Sequence, residues 1–92
     1  MGAPIHTLVV ANASSLRNAL IAWVRSMPGV QEISSTDDAA SAIAMAARQP
    51  VDVLVVDASL PAPARHVLLH HARVADPSIR FVIVADGAAQ LR

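Results

Sequence analysis

Asp57 closes the apolar run Val53-Leu54-Val55-Val56, and Leu60-Pro61 follows shortly after it. A run of β-branched and aliphatic residues this short reads as a strand buried on both faces. A carboxylate at the C-terminal end of such a strand lies where open parallel α/β sheets place their chemistry. Asp57 is therefore the first residue to consider for function. The competing reading is structural, because an aspartate there can cap the following turn through its backbone N–H groups.

Histidines are the second group with chemical potential. His66 and His70 stand four apart in a helical pattern, a spacing that can chelate Zn²⁺, and His71 adjoins them. With no Glu or Cys beside them they read as solvent-facing residues on an Ala-rich helix, and no metal site is expected. His6 reads as an edge residue at the start of the first strand. Three glycines are too few for a phosphate-cradling or dinucleotide motif, and no nucleophile elbow occurs.

The elements that must position Asp57 alternate strand and helix. Residues 6–11 (HTLVVA) read as a strand, with Asn12, Ser14 and Ser15 offering cap chemistry for a helix. Leu16, Ala19, Leu20, Trp23, Val24 and Met27 fall on one apolar stripe, which places Trp23 in the core. Pro28-Gly29 ends that helix. Residues 30–34 form a weaker strand suited to a sheet border. Thr36, Asp37 and Asp38 then cap an alanine-rich helix through Arg48. Residues 52–56 form the third strand, about 64–75 a third helix, and 79–84 (IRFVIV) a fourth strand. Asp76-Pro77 and Asp86-Gly87 read as turns, and residues 88–92 as the start of a helix.

Successive β-α-β crossovers imply a parallel sheet with helices on both faces. The fold class expected is α/β, flavodoxin-like, with four parallel strands in one domain spanning residues 1–92. In a flavodoxin-like order the first and third strands are neighbours, so Asn12 lies beside Asp57.

Composition narrows the function. Of 92 residues 54% are hydrophobic, much of it alanine, and there are one Trp, one Phe and no Tyr. Base stacking therefore has almost no material, and a formal net charge of zero gives no electrostatic footprint for nucleic acid or an anionic membrane. All seven basic residues are arginine, and there is no cysteine for disulfides or thiolate metal sites. With neither a membrane-length apolar span nor a secretion signal in view, a cytoplasmic location is the default expectation.

The segments TLVVAN (7–12), SMPGVQEI (26–33), VDVLVVDASLP (51–61) and IRFVIV (79–84) resemble the receiver domain of two-component response regulators. The D-x-x-L-P stretch from Asp57 to Pro61 is the most specific of them. SLRNALIAWVRSMPGV resembles receivers attached to helix-turn-helix DNA-binding domains. The resemblance covers the whole chain and about the first four-fifths of such a domain. It implies that Asp57 stands where the family's aspartate accepts a phosphoryl group from a histidine kinase.

The resemblance also locates what that reaction uses. The family holds Mg²⁺ with its aspartate and an acidic pair after the first strand, and Ala11 and Asn12 occupy those positions here. A hydroxyl residue follows the family's fourth strand, where this chain has Ala85. The family's lysine follows a fifth strand, and this chain has no lysine. Losing anionic ligands from a Mg²⁺ site weakens it severely. No cofactor is therefore expected.

The expected function is a receiver-like signalling module, not an enzyme, with a degenerate pocket and an output carried by protein contacts. The alternative is a working phosphoacceptor, modified on Asp57 and controlling transcription. A small enzyme or ligand binder on a flavodoxin-like scaffold is the third possibility, with no converging catalytic set to support it. Without the family's fifth strand and last helix, Phe81, Val82, Ile83 and Val84 would form an open apolar sheet border. Self-association or a partner completing the sheet is expected there, alongside a histidine kinase.

Overall fold

The computed structural model describes residues 5–85 and 88–91. Its elements run β1 (Ile5–Val10), α1 (Ser14–Arg25), β2 (Val30–Thr36), α2 (Ala39–Arg48), β3 (Val53–Asp57), α3 (Ala62–Ala75), β4 (Arg80–Ala85) and β5 (Ala88–Leu91). The sheet order is β2-β1-β3-β4-β5. β1 through β4 are parallel, as the alternating pattern requires, and β1 and β3 are neighbours.

Alternation along the central strands divides the core in two. Leu8, Val10, Leu54, Val56, Phe81 and Ile83 face α2 and α3, joined there by Leu60, Leu68 and Ala72. Val9, Ala11, Val55 and Val84 face α1 through Leu20 and Val24. This is the continuous apolar pattern of strands covered on both faces.

Local chemistry sets the helix ends. Asp38 caps α2, its Oδ1 accepting the Ser41 N–H at 2.7 Å and its Oδ2 the Ser41 hydroxyl at 3.0 Å. Both bonds hold the Asp38 carboxyl below its ordinary value, the backbone one most strongly. Gly29 takes φ +86° after α1, a left-handed conformation that favours glycine, and its carbonyl accepts the Ile5 N–H.

Three expectations are corrected. Residues 88–92 were expected to begin a helix, whereas Ala88–Leu91 is a strand antiparallel to β4, with Ala85 opposite Ala88. Only Asp-Gly separates those two residues in sequence, the pair that two-residue hairpin connections favour. That signal outweighs the helix preference of Ala88-Ala89. The expected turn at Asp86-Gly87 itself, and Arg92, lie outside the described residues. Consequently Phe81, Val82, Ile83 and Val84 do not form an open border: β5 pairs with Val82, Ile83 and Val84, and Phe81, Ile83 and Val84 are buried.

Trp23 is the second correction. It is 39% exposed, because α1 turns Leu20 and Val24 into the core and Trp23 falls outside that arc. His6 is the third. It is buried on a central strand and bonded at both ring nitrogens, to the Pro50 carbonyl at 2.6 Å and the Ser34 hydroxyl at 2.9 Å.

Candidate functional site

Because β1, β3 and β4 run parallel, their C-terminal ends share one edge of the sheet. The β1–β3 register ends at Val10 opposite Val56, so Ala11 and Asp57 are each one residue beyond that pair. Asp57 lies opposite Val84, which puts Ala85 one residue further along β4. The edge thus gathers Asp57, Ala11 and Ala85, while Asn12 is exposed in the loop after β1. The topological expectation was Asn12 beside Asp57; the register puts Ala11 at that level.

Asp57 is buried, with 5% of its surface exposed. Its Oδ1 accepts the Ser59 N–H at 3.0 Å and its Oδ2 accepts the Ser59 hydroxyl at 2.6 Å. The Asp57 carbonyl accepts the Leu60 N–H at 3.1 Å, closing a turn that brings Leu60 into the core. One carboxylate therefore serves as acceptor for two donors of a single residue, the geometry of an Asx turn reinforced by a hydroxyl.

The neighbouring positions add little negative charge. Ala11 is fully buried, has no side-chain oxygen, and bonds through its N–H to the Thr36 carbonyl at 3.2 Å. Among the described residues no three or more His, Cys, Asp or Glu side chains are grouped to hold a metal ion. No buried side-chain nitrogen or oxygen among them lacks a hydrogen-bond partner.

Two arginines that sequence reasoning passed over frame the edge. Arg17, on the first turn of α1, donates to the carbonyls of Ala11 at 2.9 Å and Asn12 at 3.3 Å. Arg65, on the first turn of α3, donates to the carbonyls of Ala58 at 2.6 Å and Leu60 at 3.1 Å. Each guanidinium ties the loop that precedes its own helix. A groove of about 390 Å³ lies beside Asp57, lined by Ala58, Arg65, His66, Leu69, Phe81, Ile83 and Ala85.

The sequence signal for the Asp57 contact is the tripeptide Asp57-Ala58-Ser59. Asp76-Pro77-Ser78 has the same form and the same outcome. Asp76 Oδ1 accepts the Ser78 N–H at 3.0 Å and the Ser78 hydroxyl at 2.7 Å, which lowers the Asp76 carboxyl from its ordinary value.

No protein-family model matches the chain. It is 28% identical over 87 residues, 95% of its length, to the protein-glutamate methylesterase/protein-glutamine glutaminase of group 2 operon of Rhodospirillum centenum. It spans 22% of that relative's length. Among solved structures, a two-component response regulator of the LuxR family from Aurantimonas sp. superposes with a TM-score of 0.75. That match has 22% identity and covers 89% of this chain and 59% of the other. A chain of the P1 domain of CheA3 in complex with CheY6 from R. sphaeroides matches with a TM-score of 0.77 and 20% identity. There the coverage is 90% of this chain and 64% of the other. Strand order, helix placement and these neighbours agree: the chain has the receiver fold of two-component response regulators.

Proposed function

We propose that the chain is a receiver-type signalling module in which Asp57 caps its own loop, and whose output runs through protein contacts without Mg²⁺-dependent phosphorylation. The observation that carries this reading is that the buried Asp57 carboxylate accepts one bond at each oxygen from Ser59 and has no acidic neighbour at the level of Ala11. Mg²⁺ binds to hard oxygen ligands, usually one or two carboxylates and several waters. The edge supplies a single carboxylate already engaged, an alanine at the level of Asp57, and an uncharged Asn12. The residues present do not fit the ion.

In this reading the module is not an enzyme and acts in the cytoplasm. No helix among the described residues is long and apolar enough to cross a membrane. Its partner is a protein, a choice supported by the neighbour solved as a complex of a P1 domain with CheY6. Self-association belongs to the same proposal, and light scattering across a concentration series reads it directly.

Titration of Mg²⁺ followed by amide resonances tests the reading. Residues 11–12 and 57–59 are expected to show no saturable shift at millimolar ion. A saturable shift that disappears in Asp57→Asn overturns it.

A further inference from the structure

We infer that α3 carries a bidentate site for a late first-row divalent metal ion, formed by His70 and by His66, which also lines the groove beside Asp57. Both histidines are exposed on a continuous helix, Ala62–Ala75. Residues four apart on a helix stand one above the other, with Cβ atoms roughly 5–6 Å apart. Two imidazoles on successive turns reach one ion at about 2.0–2.1 Å, the same i, i+4 pairing used by zinc-binding helices.

The helix is already held in place, so binding need not order it. Leu68 and Ala72 anchor its inner face in the core. Arg65 fastens its first turn to the preceding loop, and the Asp76 N–H closes its end on the Ala72 carbonyl. The two nearby guanidinium groups are directed elsewhere. Arg65 donates to Ala58 and Leu60, while Arg73 donates to the Pro77 carbonyl and lies 4.7 Å from the centre of the Phe81 ring.

Competition from other soft ligands is small. The chain has four histidines and no cysteine. His6 is buried with both ring nitrogens bonded. His71 lines a different groove, between α2 and α3, with Ile43 and Val74, although its ring stands edge-on to that of His70 with centroids 6.0 Å apart. Imidazole pairs select Ni²⁺, Cu²⁺ and Zn²⁺ over Mg²⁺. Two protein ligands leave coordination positions to water, which makes the site open and exchangeable and unlike a closed structural zinc centre.

Calorimetric titration of the full chain with Ni²⁺ at mildly alkaline pH tests the site. The expected result is saturable uptake of one ion per chain, weakened about tenfold or more in His66→Gln and in His70→Gln. His71→Gln should leave affinity within about twofold, a difference of only a few tenths of a kcal/mol. Glutamine is a good helix former at exposed positions, and far-UV circular dichroism checks that each variant folds. As a reading on the unaltered chain, the unfolding midpoint should rise with Ni²⁺ and fall back with chelator. Absence of saturable uptake at millimolar Ni²⁺ overturns the site. So does unchanged affinity in both His66→Gln and His70→Gln, or an equal loss in His71→Gln.

Discussion

Asp57 and Ser59 form a closed pair: the serine N–H and hydroxyl occupy the two carboxylate oxygens at 3.0 and 2.6 Å. Asp76 and Ser78 make the same pair of contacts, to one carboxylate oxygen, in a connection between α3 and β4 at the opposite edge of the sheet. The residue with the most suggestive position thus has the contacts of an ordinary D-x-S turn. What separates the two is burial, since Asp57 is enclosed whereas Asp76 is partly open to solvent.

Breaking the Asp57–Ser59 pair should therefore cost stability. Asp57→Ala removes both bonds to Ser59, which is exposed so that water can take up its donors, and the expected loss is about 1 kcal/mol. Ser59→Ala removes one hydrogen bond and should cost about 1 kcal/mol. Urea unfolding measures both. A neutral or stabilising Asp57→Ala would mean the turn is held by other contacts.

His6 should matter more than a border residue would. Its Nδ1 faces a carbonyl, which can only accept, so that nitrogen donates and Nε2 is left for the Ser34 hydroxyl. His6→Ala removes the bonds to Pro50 and Ser34 and opens a cavity under β1, with an expected loss of about 2–3 kcal/mol in chemical denaturation. A loss typical of exposed positions, within about 0.5 kcal/mol, would contradict the buried arrangement.

Acid should weaken the fold through Asp38 and Asp76. Both carboxyls are lowered by bonds to a serine two or three residues on, so their contribution is complete above the unfolded carboxylate value of about 3.9. It is lost as pH falls through the lower folded values. Asp38→Ala should lower the melting midpoint by a few degrees near neutral pH. The gap to the unaltered chain should narrow in strong acid, where protonation has already removed the cap. A gap constant with pH would rule the carboxylate out as its source.

Arg65 should control the mobility of the Asp57 loop. Removing its bonds to Ala58 and Leu60 in Arg65→Ala is expected to speed amide exchange at residues 58–60 while leaving the α1 side unchanged. Arg17→Ala should act on the loop after β1 instead.

The scaffold was readable because its signals are strong and local. Four short apolar runs separated by capped helices leave few parallel arrangements, and the observed order β2-β1-β3-β4 is the flavodoxin-like one among them. Trp23 was misplaced because helical periodicity defines an arc, and packing against the sheet chose Leu20 and Val24 within it. The strand at Ala88–Leu91 was hidden by alanine's helix preference, although Asp86-Gly87 is a hairpin signal. At the site, Ala11 and Ala85 were found from family spacing. Arg17 and Arg65 were not, because a guanidinium reaching backbone carbonyls leaves no motif. The engagement of Asp57 was half visible, in the serine two residues after it.

Incubation with acetyl phosphate and Mg²⁺, followed by intact mass, measures the central claim most directly. A carboxylate closed off by Ser59 and without anionic neighbours should leave the chain at its unmodified mass. Gain of one phosphoryl group, abolished in Asp57→Asn, would contradict the account.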